Sequence, residues 1–524
     1  MINGQNIIGY QYSGRGRQTF TAINPATNTA LPDAFSIATL KEINQAMALA
    51  NSAFPIFSNF SAAQRADFLE TIGREILELG DELIQTAHLE TALPIARLQG
   101  ERGRTIGQLN MFAGLLREGS YVNAVIDTAL PERQPIPRPD LRKMQVGLGP
   151  IVVFGASNFP LAFSVAGVDT ASAFAAGCPV LVKAHPAHPG TSALIGQAIK
   201  IAAEKTGMPD GVFSLLYDQS VRVARSLIQH PVAKGVGFTG SRRAGMILHN
   251  LAQKRSEPIP MFAEMGSVNP VILLPEMLAQ KGNDLALALA NSINLGAGQF
   301  CTNPGLVFVL ETPTLAEFLV AYRNAVLSTQ PATMLTPGIC KAYTTGKKDI
   351  TTRPEVAVLA EVTNSEGTNV AQATVATVGG SDFIKNPKLH EEVFGPFSLL
   401  VICQNETQLL EALNKLDGQL TMTVWGNEEE MSARPELLQV MAEKAGRVIR
   451  NGVPTGVEVS PAMQHGGPFP AASDSRFTSV GTDAVKRWLR PVCFQNWPDE
   501  LLPPALQQAN PLKIWRLVNG EMTK

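Results

Sequence analysis

Two spacings of apolar residues alternate along this chain. At residues 61–76, Ser61-Ala-Ala-Gln64 has the form of a capping box, and Phe68, Ile72 and Ile76 follow at intervals of four, which predicts a helix. From residue 150 the pattern becomes regular. The β-branched run 151–154 predicts a buried strand, followed by a helix of small residues begun near Pro160 and ended by Gly177. Residues 180–183 predict a second strand. A helix capped by Thr191 or Ser192, carrying Leu194, Ile195, Ala198, Ile199 and Ala202, runs to Gly207. Runs 211–216 and 235–238 supply two more strands, with a helix over 244–251 after the last. A second series has strands at 269–274, 306–310, 397–402 and 421–425, and a helix opened by Thr314-x-x-Glu317. Strands that alternate with helices make a parallel sheet covered on both faces, with ligands at the carboxyl ends of its strands. The first 60 residues are weakly patterned, and there is neither an internal repeat nor a low-complexity tract.

Two stretches fall outside this rhythm. Pro131, Pro135, Pro137 and Pro139 stand close together among arginines, which suits an extended arm or linker. Residues 485–494 predict one strand outside the main core, followed by a loosely held tail with Pro503 and Pro504.

At 524 residues the chain exceeds a single core, and 45% hydrophobic against 17% charged residues is the composition of folded domains. Basic (43) and acidic (45) residues nearly cancel, which argues against a nucleic-acid partner. Cys178, Cys301, Cys340, Cys403 and Cys493 are scattered, with no C-x-x-C, so neither a zinc site nor a disulfide framework is expected. The first residues lack the pattern of a signal peptide, and no apolar run reaches the ~20 residues of a membrane span. These features lead to the expectation of a soluble cytoplasmic protein with no membrane partner.

Candidate chemistry centres on the glycine-rich segment Asn294-Leu-Gly-Ala-Gly-Gln-Phe-Cys301-Thr-Asn-Pro-Gly305, just before the strand at 306–310. A thiol exposed there and bordered by backbone N–H groups suits a nucleophile; a structural cysteine in a tight loop is the ordinary alternative. The dinucleotide fingerprint G-x-G-x-x-G follows none of the strands. In its place Phe238-Thr-Gly240-Ser241, with Gly245 beyond, joins a strand to a helix, where amides and a hydroxyl can meet a phosphate or merely make a turn. Lys183 closes a strand and Asn158 follows one; alone they read equally as a surface lysine and a turn asparagine. His185-x-x-His188 lies among prolines, a poor context for a metal pair. Glu264 stands between apolar residues, where its pKa rises toward that of a useful base.

Together these pieces resemble the aldehyde dehydrogenase family. The matching segments are Gly149-Pro-Ile-Val-Val-Phe-Gly-Ala-Ser157-Asn158-Phe-Pro160, Val182-Lys183, Phe238-Thr-Gly-Ser241, Glu264-Met-Gly-Ser-Val-Asn-Pro270, Gly298-Gln-Phe-Cys301, Glu392-Val-Phe394-Gly-Pro396 and Asn451-Gly-Val-Pro454. They occur in the family's order over almost the whole chain. The resemblance implies an α/β fold with a Rossmann-like cofactor domain (1–133 and 150–262), an α/β catalytic domain (263–468), a small β oligomerisation flap (134–149 and 480–500) and a C-terminal tail (501–524). It implies that Cys301 is the nucleophile, Asn158 an oxyanion donor and Glu264 the base that hydrolyses the thioester. Ser157, Lys183, Pro186, Gly240, Ser241, Gly245, Glu392 and Phe394 become the cofactor residues. An acid at the Glu264 position favours release of a free acid over transfer to coenzyme A. Pro186 stands where NAD-preferring relatives place a carboxylate, and His185 and His188 are nearby, so NADP is the expected cofactor with NAD as the alternative. The segments at 264–270 and 298–305, with Ser460-Pro-Ala-Met-Gln-His-Gly-Gly-Pro, resemble the branch that converts 2,5-dioxopentanoate to 2-oxoglutarate. A long-chain aldehyde dehydrogenase linked to NADP is the alternative within the family. Outside it stand a silent scaffold, which would have shed the three catalytic residues, and a cysteine hydrolase, for which none of the seven histidines lies in a recognisable partner motif. A homodimer or homotetramer is expected.

Overall fold

Residues Ile151–Phe154 lie at the centre of the first of two seven-stranded sheets in the computed structural model, which describes residues 2–363 and 366–524. Its strands run in the order Met261–Glu264, Gly235–Thr239, Ile151–Phe154, Val180–Lys183, Phe213–Leu216, Asn6–Ile8, Gln11–Ser13. The first five are parallel, and their register sets Phe154 beside Phe238 and Lys183, and Thr239 beside Glu264. Residues far apart in sequence therefore end on one rim, at the carboxyl ends of the strands. The second sheet runs Val356–Glu361, Thr374–Gly379, Phe397–Cys403, Leu306–Leu310, Val271–Leu273, Gln419–Trp425, Ala445–Arg450, with only the first strand antiparallel. Its central strands are buried on both faces, as their continuous apolar runs require.

The helix Ala62–Glu78 opens with both hydrogen bonds of the expected Ser61–Gln64 capping box, and Phe68, Ile72 and Ile76 are fully buried. Other boundaries differ from expectation for identifiable reasons. The small-residue helix starts at Val168, not near Pro160, because residues 156–168 fold back on themselves: the Ala156 amide donates to the Phe163 carbonyl and Val168 to Ala162. Neither Thr191 nor Ser192 caps its helix. Pro189 is its first residue, and the cap comes from another helix, where the Glu90 carboxylate accepts from the Gly190 and Thr191 amides (2.6 and 2.8 Å). Thr314 precedes its helix but makes no side-chain cap.

A third sheet runs Leu489–Gln495, Leu141–Gly147, Val125–Asp127, Arg516–Val518, Glu521–Thr523. Residues 485–494 are not one strand: Thr482–Trp488 is a buried 3₁₀ turn and the strand begins at Leu489. Nor is the tail loose. Leu502, Leu506 and Ile514 are buried, Arg142 donates to the Leu506 carbonyl, and Arg516–Val518 pairs in parallel with Val125–Asp127. Among the described residues no helix is long and apolar enough to cross a membrane.

Candidate active site

Helix Pro275–Asn294 delivers the chain to the cysteine loop, which turns through three successive left-handed residues, Gly296, Ala297 and Gly298 (φ 57°, 56° and 65°). At Gly298 a side chain is excluded twice over, by its positive φ and by the Gly395 carbonyl carbon 2.2 Å from where a Cβ would stand. Asn269 braces the other side, donating from Nδ2 to the carbonyls of Cys301 (2.8 Å) and Asn303 (2.9 Å). Asn158 Nδ2 donates to the Gln299 carbonyl (2.9 Å), so the loop that carries the thiol is tied to the segment that follows the central strand. Arg97 donates to the Asn158 carbonyl (2.7 Å) and its guanidinium lies against the rings of Phe159 and Phe300, 5.0 and 4.9 Å from their centroids.

This bracing places Cys301 on the wall of a cavity of about 670 Å³. Ser157, Asn158, Lys183, Pro186, Gly240, Ser241, Glu264, Glu392 and Phe394 share the same wall. Gly245 does not. It lies inside helix Arg242–Gln253, where a Cβ would come 2.8 Å from Met265 Sδ, so it lets the helix seat against the sheet. Ser241 is the N-cap of that helix, its hydroxyl accepting from the Ala244 amide. The cavity thus combines a helix N-terminus, a lysine at a strand end and a carboxyl at residue 392, groups that fit the phosphates and ribose hydroxyls of a dinucleotide.

The titratable groups are strongly perturbed. Burial pushes the Glu264 carboxyl up to about 8, with Arg487 opposing the shift and Asp169 adding to it. One of its oxygens, Oε2, has no hydrogen-bond partner among the described residues. Burial also pushes the Cys301 thiol up to about 12, aided by Glu392 and Glu264 and opposed by Arg104. The thiol is only partly exposed, not open as its glycine-rich loop leads one to expect, and burial keeps it protonated at rest. Burial raises Glu392 to about 7 and lowers Lys183 to about 8.

Two corrections concern histidines. The thiol does have a histidine neighbour: His465 Nε2 is 3.5 Å from Cys301 Sγ. Burial, with Arg447 and Arg104, holds that imidazole down at about 3, so it stays neutral and cannot form the ion pair of a cysteine hydrolase. In sequence it lies within the segment Ser460-Pro-Ala-Met-Gln-His-Gly-Gly-Pro, whose signal is a resemblance and not a partner to the thiol. His188, expected near a 2′-phosphate, is fully buried and occupied on both nitrogens, Nε2 with the Ala156 carbonyl (3.0 Å) and Nδ1 with Ser192 Oγ (3.3 Å). His185 faces the cavity but is held neutral, chiefly by burial, so it brings no positive charge to an anion.

Comparison with known proteins agrees with this geometry. The profile described as "Aldehyde dehydrogenase family" matches residues 12–468. Alpha-ketoglutaric semialdehyde dehydrogenase 2 of Azospirillum brasilense is 48% identical over 99% of both chains. Alpha-ketoglutaric semialdehyde dehydrogenase of Acinetobacter baylyi is 47% identical over 100% of this chain and 99% of its own. Among solved structures, betaine aldehyde dehydrogenase from Staphylococcus aureus in complex with NAD+ superposes with a TM-score of 0.81 at 18% identity, covering 94% of this chain and 95% of that one, a likeness of fold.

Proposed function

Since the chain belongs to the aldehyde dehydrogenase family, we propose that it oxidises 2,5-dioxopentanoate (alpha-ketoglutaric semialdehyde) to 2-oxoglutarate with a nicotinamide dinucleotide. The observation that carries this reading is the convergence of Cys301, Glu264 and Asn158 on one cavity in a chain nearly half identical, end to end, to two dehydrogenases named for that aldehyde.

The residues divide the work as follows. The Cys301 thiol needs a proton acceptor, because it is neutral at rest. His465 is adjacent but held at about 3, too weak a base to keep the proton, so it passes to solvent. Cys301 Sγ then adds to the aldehyde carbon. The Asn158 amide and the Cys301 backbone N–H hold the oxyanion, an interaction worth about 3–4 kcal/mol per donor in comparable sites. A dinucleotide, when bound, would supply the hydride acceptor, and loss of hydride from the adduct would leave a thioester on Cys301. Glu264 removes a proton from the water that attacks it and returns it to the departing Cys301 sulfur, and the acid leaves. Lys183 and Glu392 hold ribose hydroxyls, Gly240 and Ser241 meet a phosphate, and Phe394, Ser157 and Pro186 line the cofactor's side of the cavity.

We assign residues 1–133 and 150–262 to the cofactor domain, 263–468 to the catalytic domain, and 134–149 with 480–500 to an assembly flap through which two or four copies associate. NADP is the preferred cofactor in this reading, on the ground that Pro186 offers a 2′-phosphate no opposing carboxylate; the neutral histidines add nothing to it. The deciding experiment follows absorbance of the reduced nicotinamide with 2,5-dioxopentanoate and a series of unbranched aldehydes, each with NADP and NAD. Highest kcat/KM on the dioxo acid is expected. Best turnover on an aliphatic chain without a carboxylate overturns the substrate, and a preference above about tenfold for NAD, or roughly 1.4 kcal/mol, overturns the cofactor choice.

A further inference from the structure

Two arginines that act electrostatically on the thiol have no ion-pair partner among the described residues. Arg104 lies on helix Ile95–Glu118, its guanidinium 5.4 Å from the centroid of the Phe163 ring. The Phe163 ring is 6.2 Å from the His465 ring, and both line the cavity at the Cys301 end. Arg104 Nε and Nη2 are buried and have no hydrogen-bond partner among the described residues. Glu101 and Glu458 act on Arg104 electrostatically, but among the described residues neither forms an ion pair with it, and Glu101 spends Oε1 on the Leu161 and Ala162 amides (2.8 and 3.0 Å). Arg447, on strand Ala445–Arg450, is steered by the carbonyls of Pro454 (2.7 Å) and Gly456 (3.1 Å), and its Nε is buried with no hydrogen-bond partner among the described residues. Both arginines act electrostatically on Cys301 and on His465, and the Phe163 ring connects Arg104 to the imidazole. Burying unpaired guanidinium groups is costly, and an unsatisfied buried donor calls for a partner that the protein itself does not supply.

We propose that Arg104 and Arg447 form an anion subsite that receives the 2-oxo acid end of the substrate, with His465 as the spacer between that subsite and the reacting aldehyde. This rests on the substrate reading above and gives it a physical basis. The aldehyde carbon of a five-carbon 2-oxo acid lies four bonds from its carboxylate. A substrate joined at one end to Cys301 therefore carries its negative charge past His465 toward the two guanidinium groups. A neutral imidazole suits that place, since it donates a hydrogen bond to the 2-oxo group without adding charge. A forked guanidinium with two free N–H directions suits a carboxylate better than an ammonium would.

The test compares kcat/KM for 2,5-dioxopentanoate with that for pentanal, an uncharged chain of the same length, in the wild type and in Arg104→Met, Arg447→Met and Arg104→Lys. The ratio of the two is expected to fall about 10–100-fold in each methionine variant, mainly through KM of the acid, as loss of a charge-assisted contact implies. Arg104→Lys keeps the charge, loses the fork and is expected to fall between; it also serves if the methionine variant does not fold. An unchanged ratio in all three variants overturns the subsite. Binding of 2-oxoglutarate, followed by calorimetry, is the second readout, and its Kd is expected to weaken by a similar factor. If the wild type prefers pentanal, the substrate reading fails on its own. The subsite is then judged by calorimetry alone: a weakened Kd in the variants supports it and an unchanged Kd overturns it.

Discussion

A nucleophile whose thiol sits at about 12 is poorly reactive until something draws off its proton. Iodoacetamide should therefore label Cys301 slowly at neutral pH. The rate should climb about tenfold per pH unit with no plateau below pH 10, since each unit of pH multiplies the small thiolate fraction by ten. Peptide mass spectrometry distinguishes this site from the exposed Cys493, and a plateau near pH 7 would show an ionised thiol and refute the argument. Glu264 works in the opposite sense to an acid catalyst. It must be ionised to serve, and burial raises its pKa to about 8, so kcat is expected to rise through pH 8 and level off above it. In Glu264→Gln the thioester should form and persist, visible as a burst of reduced cofactor near one equivalent followed by a turnover at least a hundredfold slower. Steady turnover without a burst would remove Glu264 from deacylation. At this scale the sequence singled out Cys301, Glu264 and Asn158, which the fold brings to one cavity, because each sits in a segment with a local pattern. It could not disclose His465, whose meaning depends on a contact across 164 residues, or Arg104, which in sequence is one basic residue on an amphipathic helix.

Elements are positioned here by side chains that reach across the chain as much as by their own propensities. The cysteine loop holds three left-handed residues in succession, one of them Ala297, a conformation that costs an alanine about 1–2 kcal/mol. It is held open by Asn269, itself at positive φ, whose amide bonds the carbonyls of Ser267, Cys301 and Asn303. Asn269→Ala leaves those carbonyls unsatisfied and is expected to cost about 2–4 kcal/mol of stability. It should also lower kcat more than KM, because the thiol loses its position before the cavity loses its shape. A variant that melts with the wild type and keeps kcat would show that the loop holds itself. The same logic explains which helix boundaries were legible. Ser61 and Gln64 complete their capping box within four residues, so the pattern is visible in sequence. The helix Pro189–Lys205 is capped by Glu90, about a hundred residues earlier, so local spacing pointed to Thr191 or Ser192 instead. Central strands such as Leu306–Leu310 were plain because burial on both faces leaves a continuous apolar run. In the third sheet Leu489–Gln495 mixes exposed and half-buried positions and Leu141–Gly147 is mostly half-buried, so neither carries such a signal.

The third sheet and the catalytic carboxyl meet through a single buried pair. The turn Thr482–Trp488 leads into flap strand Leu489–Gln495. In it Arg487, 2% exposed, sets Nη1 2.8 Å from Asp169 Oδ1 on helix Val168–Ala175 of the first sheet's layer. Trp488 fastens the same turn, donating from Nε1 to Ser172 (2.7 Å), while its carbonyl accepts from the Leu148 amide. Arg487 also lowers the pKa of Glu264, and Asp169 raises it. Arg487→Met strands the Asp169 carboxylate in the interior, and the expected loss of stability is about 3–5 kcal/mol. The same change takes a positive charge from the surroundings of Glu264. The ionised carboxylate then becomes less favourable, its pKa rises further, and the ascending limb of the kcat profile moves to higher pH. Adding Asp169→Asn removes both the stranded charge and the repulsion that raises Glu264. The double variant is therefore expected to recover part of the stability and to bring the limb back toward its original position. Thermal melts and pH profiles on the three proteins check both halves. If Arg487→Met melts early while its pH limb stays in place, the pair is a structural clamp alone. If the limb moves and returns, the segment that leads to the flap also tunes the base that frees the product.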